Sequence, residues 1–145
     1  MTVQQYVLSD LPSSYYRVAT RAVILDDKQR ILVVQNHGGG YEFPGGGWEY
    51  DESFNLCLER EIDEELGVKV ASIEPSILGV YRGSNSYGMT LRVAVRVTLR
   101  SHDFKPVDMA RAWFVSKEEF LKLDFKPTAD EGMKDYADII WRTET

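Results

Sequence analysis

Apolar and polar residues alternate most regularly between Thr90 and Arg100. Leu91, Val93, Val95, Val97 and Leu99 fall on one face, and Thr90, Arg92, Ala94, Arg96, Thr98 and Arg100 on the other. This period of two predicts a strand with one buried face and one solvated face carrying three arginines. Two more β-rich runs, RVATRAVIL at 17–25 and ILVVQ at 31–35, flank the turn-forming Asp26-Asp27-Lys28-Gln29, and together they predict a hairpin. Shorter strands are expected at 76–82 and 111–115. Ser116 followed by Glu119 is a capping box that opens a short helix through Leu123. Thr128 followed by Glu131 is a second one, opening a C-terminal helix with Met133, Tyr136 and Ile140 on its apolar face.

A third helix, 52–66, carries an unusual charge pattern. At 100° per residue, Phe54, Leu58, Ile62 and Leu66 form a core-facing stripe, and Glu61, Glu64 and Glu65 fall together beside it. Gly67 suits the left-handed position that ends a helix, with Val68 folding back toward Ile62. Three carboxylates on adjacent turns repel one another, and the negative end of the helix dipole worsens this. Two arrangements answer the repulsion. One is a solvated acidic face, the commoner outcome for such a cluster alone. The other is a bound divalent cation, since hard oxygen ligands from one helix suit Mg²⁺ or Mn²⁺, which then capture phosphate oxygens.

Composition narrows the partners. At 145 residues, 43% hydrophobic and 28% charged, the chain reads as one ordinary globular domain, 1–145, without linker, repeat or low-complexity segment. Lys and Arg total 17 against 23 Asp and Glu, a net charge of −6, so the basic excess that grips a nucleic acid polymer is missing. An anionic ligand near these acids would need screening by cations. The opening lacks an export signal, and no apolar run approaches the roughly 20 residues of a membrane helix. Cys57 is the single cysteine, which excludes an internal disulfide and fits a reducing compartment, hence a cytoplasmic protein with no membrane partner.

The spacing Gly46, five residues, Glu52, seven residues, Arg60-Glu61-Ile62, one residue, Glu64-Glu65, one residue, Gly67-Val68 resembles the Nudix box at every specified position (46–68). Tyr41-Glu42-Phe43-Pro44-Gly45-Gly46 is similar to the family's lead-in. Resemblance to the Nudix (MutT-like) hydrolase family implies an α/β fold, an α/β/α sandwich around a mixed β-sheet with the box as loop–helix–loop. It implies that Glu61, Glu64 and Glu65 bind Mg²⁺ or Mn²⁺, that the Gly45 carbonyl completes the site, and that Arg60 pairs with Glu52 to orient loop and helix. Gly46 and Gly47 then let the backbone turn close to metal and phosphate.

The implied reaction is attack of water on a diphosphate linkage, releasing a nucleoside monophosphate from a nucleoside diphosphate joined to another group. Family members take the water's proton with the glutamate matching Glu61 or with one from a later loop. Here the segment before 111–115 holds no glutamate, and Asp103 and Asp108 are its acids. Tyr41, Trp48, Tyr50, Tyr81 and Tyr87 lie in or beside expected loops as candidates to stack a base, and Arg82, Arg92 and Arg96 as candidates to meet phosphates. Tyr41, Trp48 and Arg82 are carried forward as substrate contacts. His37 and His102 are isolated, and Cys57 sits among packing positions. The proline marker of ADP-ribose hydrolases and the NADH-type signature are absent, and Tyr87 only approximates the dinucleoside polyphosphate marker. The alternative reading is a Nudix-fold sensor that binds a nucleotide metabolite without turnover. Relatives are often homodimers, though no segment of this chain identifies an interface.

Overall fold

A computed structural model describes residues 16–85, 88–128 and 130–142; Tyr87 lies outside them. The strands are β1 (Arg17–Val23), β2 (Ile31–Gln35), β3 (Tyr41–Glu42), β4 (Val70–Asn85), β5 (Gly88–Leu99) and β6 (Arg111–Val115). The helices are α1 (Phe54–Leu66), α2 (Lys117–Lys122) and α3 (Ala137–Ile140), with 3-10 turns at Lys126–Thr128 and Asp130–Tyr136. The alternating run becomes β5, the centre of a mixed sheet: β1 pairs with it in parallel, β4 antiparallel. A second, antiparallel sheet has the order β3-β2-β6.

The expected hairpin is only a corner. Asp26 accepts from the N–H groups of Lys28 (3.0 Å) and Arg30 (2.8 Å) and from the Arg30 Nε (2.7 Å), so the turn forms. Leu32 N–H still donates to the Ile24 carbonyl (2.9 Å), but from there β1 joins one sheet and β2 the other. Residues 19–24 and 31–34 are buried without interruption, the pattern of strands covered on both faces, which a two-stranded ribbon cannot satisfy.

Two core clusters define three layers. On one side Ile24, Leu32, Val34, Val95 and Val97 pack with Leu58, Ile62, Leu66 and Val68, so α1 lies over both sheets. On the other, Val23, Val33, Phe43 and Ala94 pack with Phe120, Phe125, Met133 and Ile140. Leu58, Ile62 and Leu66 are fully buried as the stripe requires, each contributing about 1.5–3 kcal/mol. Ser53 caps α1 through its Oγ, which accepts the Leu56 N–H (3.2 Å), and Gly67 ends it in the left-handed region.

The expected solvated arginine face is exposed only at Thr98 and Arg100; from Thr90 to Arg96 it is covered, the arginines by the C-terminal segment. Arg92 is 3% exposed and bound to Asp130, and Arg96 donates to the Ile139 and Ile140 carbonyls. That segment is not the expected continuous helix. The one hydroxyl hydrogen of Thr128 is shared between the Tyr41 and Phe125 carbonyls while its Oγ1 accepts the Asp130 N–H (3.4 Å), and the Glu131 carboxylate accepts the Phe125 N–H. The Glu131 half of the capping box is therefore engaged elsewhere, the chain continues as a 3-10 turn, and α3 amounts to four residues. The Ser116 capping box forms as expected, with both hydrogen bonds at 3.1 Å. The strand expected at 76–82 extends to 70–85, with its register shifting around Glu74-Pro75-Ser76, where proline cannot donate to the ladder.

Candidate active site

Segment 44–48 runs alongside β1. Ala22 N–H donates to the Pro44 carbonyl (2.7 Å), Thr20 N–H to Gly46 (2.8 Å), and Trp48 N–H to Val18 (3.0 Å). This lays two glycines against the acidic side of α1. Gly45 adopts φ +138° packed on the Thr20 carbonyl, and a Cβ there would overlap that oxygen. A Cβ on Gly46 would overlap the Glu61 carboxylate, so the missing side chain is what lets the backbone reach it.

The Gly45 N–H donates to Glu65 Oε1 (3.1 Å). Glu65 is 3% exposed, and its Oε2 is buried with no hydrogen-bond partner. Burial pushes this carboxyl well above the usual range, against the pull of the Arg21 charge. Burial also raises Glu61, opposed by Arg60.

Arg60 ties the remaining acids together. Its Nε and Nη2 grip both oxygens of Glu52 (3.0 and 2.6 Å), its Nη1 reaches Glu61 (2.9 Å) and Glu64 (3.4 Å), and its Nη2 also reaches the Gly47 carbonyl (3.3 Å). These hydrogen bonds hold Glu52 down at about 2. The expected Arg60–Glu52 pair is present, and the same guanidinium offsets the repulsion between Glu61 and Glu64.

Among the described residues, no three His, Cys, Asp or Glu side chains are arranged to hold a metal ion as they stand. The donor chemistry nevertheless fits a hard divalent cation. The acidic side of α1 presents carboxylate oxygens, and the buried, partnerless Oε2 of Glu65 is the group that most requires a positive ligand.

The expected substrate contacts differ in exposure. Trp48 is 42% exposed, edge-on to Phe54, and donates its Nε1 to the Glu52 carbonyl (2.8 Å). Tyr41 is half-buried between Trp113 and Phe125. Arg82 is exposed on β4, opposite Leu91. Tyr50 is fully exposed, whereas Tyr81 is buried with its hydroxyl on Asp130. Asp103 and Asp108 are exposed, but their loop is anchored to the end of α1: Lys105 N–H donates to the Leu66 carbonyl (2.8 Å) and Val107 N–H to that of Glu65 (3.1 Å). His102 stacks on Phe104 and lies tilted against Phe114, and His37 is exposed. Cys57 faces the Gly47 carbonyl (3.4 Å), its thiol pushed up by burial to about 11.

Arg92, a candidate to meet phosphate, is instead buried on Asp130, and sequence reading missed the other two members of that group: Asp130 and Arg21, also buried, with both arginines bound to the one carboxylate. The group's one sequence signal is Arg21, a charged residue in the middle of the β-rich run of β1.

The description "NUDIX domain" belongs to a family model that matches residues 15–136. An RNA pyrophosphohydrolase of Saccharophagus degradans is 30% identical over 121 residues, 79% of this chain and 67% of that protein. Among solved structures, a MutT protein from Methanosarcina mazei superposes with TM-score 0.73 at 20% identity, covering 92% of this chain and 100% of that one. An ADP-ribose pyrophosphatase from Streptococcus suis gives TM-score 0.69 at 21% identity, covering 90% and 96%. At such identities the two structures establish the fold.

Proposed function

This chain belongs to the Nudix (MutT-like) hydrolase family, which acts on pyrophosphate bonds, and from that premise we propose that it is a divalent-metal-dependent hydrolase of nucleoside diphosphates linked to another group, releasing a nucleoside monophosphate. The observation that carries the reading is the Glu65 carboxylate, buried with one oxygen on the Gly45 N–H and the other unpaired, beside Glu61 and Glu64. Glu61, Glu64, Glu65 and the Gly45 carbonyl would hold Mg²⁺ or Mn²⁺. When bound, the cation supplies positive charge to the diphosphate oxygens and acidifies the attacking water.

The chain's own groups do the rest. Glu61, raised by its burial, is a stronger base than an exposed carboxylate and is the group we assign to take the water's proton. Arg60, fixed by Glu52, orients Glu61 and Glu64 without touching the reacting atoms. The loop bonded to the Glu65 carbonyl through Val107 makes Asp108 and Asp103 the alternative acids for that proton. Trp48, exposed two residues after Gly46, is the aromatic assigned to the base, with Arg82 toward phosphate. The ring contacts of Tyr41 favour a framing role.

Similarity to an RNA pyrophosphohydrolase favours a second substrate, the triphosphate at an RNA 5′ end; the net charge of −6 weighs against it. Product analysis with Mg²⁺ or Mn²⁺ across sugar-linked diphosphates, nucleoside triphosphates, dinucleoside polyphosphates and 5′-triphosphorylated RNA separates the two. Nucleoside monophosphate from the linked diphosphates is the expected result. Turnover confined to RNA ends would replace the first substrate with the second.

A further inference from the structure

Asp130 is wholly buried and lies 65 residues beyond the last box glutamate, Glu65, yet more groups converge on it than on any acid of the site. It accepts from Arg21 Nε through both oxygens (3.2 and 3.1 Å), from the Tyr81 hydroxyl (2.9 Å), from the Phe43 N–H (2.9 Å) and from Arg92 Nη1. The donors come from β1, β4, β5 and the residue after β3, so one carboxylate fastens the C-terminal segment to both sheets. Two of these bonds lead to the site. Phe43, held by its N–H, stands two residues before Gly45. Arg21 also donates from Nη1 to the Thr20 carbonyl (2.9 Å), the oxygen on which Gly45 packs. The Gly45 N–H then meets Glu65. The Arg92 side leads away: beyond Asp130, its Nε reaches Thr90 Oγ1 (3.3 Å) on its own strand.

We propose that Asp130 is a positioning residue of the active site: through Arg21 and the Phe43 N–H it fixes segment 44–46, and thereby the backbone N–H that orients Glu65. The inference rests on the reading of Glu65 as a site carboxylate, but its test does not depend on finding the substrate. Arg21→Gln and Arg92→Gln each remove one cation from the same buried carboxylate, but Arg21→Gln also loses its own bond to the Thr20 carbonyl, so Asp130→Asn, which keeps both arginines, is compared beside them. A positioning Asp130 passes the disturbance to Gly45 in Asp130→Asn and Arg21→Gln but not in Arg92→Gln; a purely structural one leaves Gly45 in Asp130→Asn no more disturbed than α1.

The readouts are amide hydrogen exchange at Gly45, compared with amides of α1, and Mn²⁺ affinity followed through the spectroscopic signal of the free ion. Arg21→Gln is expected to speed Gly45 exchange at least about tenfold beyond any change in α1, and to weaken Mn²⁺ binding by about 10- to 100-fold. In Arg92→Gln both quantities are expected to stay within about twofold once corrected for global stability. Should Arg21→Gln not fold, Arg21→Lys keeps the buried charge, loses the fork that spans Asp130 and Thr20, and is expected to move Gly45 exchange in the same direction. Gly45 exchange that rises no more than that of α1 in Asp130→Asn, or rises equally in the Arg21 and Arg92 variants, overturns the proposal. A protein that hydrolyses nothing would remove the proposed function and leave the exchange comparison intact.

Discussion

Gly45 and Glu65 are joined by a 3.1 Å hydrogen bond from backbone N–H to Oε1, while the other oxygen of the same carboxylate is buried without a partner. A fold gains nothing from ionising such a group. Its raised folded value means that stability present at low pH is lost as pH rises through that value. Glu65→Gln keeps an acceptor for Gly45 and removes the charge. It is expected to stabilise the protein by about 1 kcal/mol, or about 3 °C in Tm, while reducing hydrolysis to background. Thermal denaturation at neutral pH and an initial-rate assay check the two halves; a lower Tm would contradict the first.

The two neighbouring glycines should fail differently. Gly45→Ala drives a Cβ into the Thr20 backbone at a positive φ, and a loss of at least about 2 kcal/mol is expected in urea unfolding. Gly46→Ala meets only the end of the Glu61 side chain, which can swing aside. Near-native stability with an activity loss of about 100-fold is expected there, because a displacement of about 1 Å in a catalytic group suffices for it.

Arg60→Lys retains the positive charge but cannot grip Glu52 with two nitrogens while reaching Glu61 and Glu64. The expected outcome is an activity loss of about 10- to 100-fold with the helix intact by circular dichroism. Full activity in the lysine variant would show that charge alone suffices.

Acid should open the C-terminal side first. Asp130 is held below its ordinary 3.8 by Arg21 and Arg92 despite its burial. A carboxylate lowered in the folded state contributes stability that is complete above its unfolded value and lost as pH falls through the folded one. Urea unfolding between pH 5 and pH 2 should therefore steepen below about pH 4 in the native chain. The Asp130→Asn curve should start lower and run flatter over that window.

The site helix was legible because its signals are local. Apolar spacing marked the buried stripe of α1, Gly67 marked its end, and the box spacing brought Arg60 onto Glu52; the helix starts at Phe54 rather than at 52, capped by Ser53, which sequence reading did not single out. What escaped depends on distant partners. Nothing near Arg92 announces that Asp130, 38 residues on, will cover it, so a strand with alternating arginines read as solvated. Thr128 and Glu131 form a valid capping pair by spacing, but the Glu131 carboxylate goes to the Phe125 N–H, the Thr128 N–H to the Phe125 carbonyl, and Thr128 Oγ1 accepts from Asp130 two residues on. The turn at Asp26 was read correctly, and only the full sheet order reveals that its two strands part.

Metal-dependent cleavage of a diphosphate linkage is the activity we propose for Glu61, Glu64 and Glu65 together. Its most direct test is the rate of nucleoside monophosphate release from a linked nucleoside diphosphate as Mg²⁺ is titrated, for the native chain beside Glu64→Gln. The native chain should be silent without metal and saturate with it, and Glu64→Gln, whose side chain is half exposed and not part of the core, should fold normally and lose about 1,000-fold or more. Metal-independent release, or full activity in Glu64→Gln, would show that these glutamates do not hold a catalytic cation. A folded native chain that binds the nucleotide and never cleaves it would make this a sensor built on the same fold.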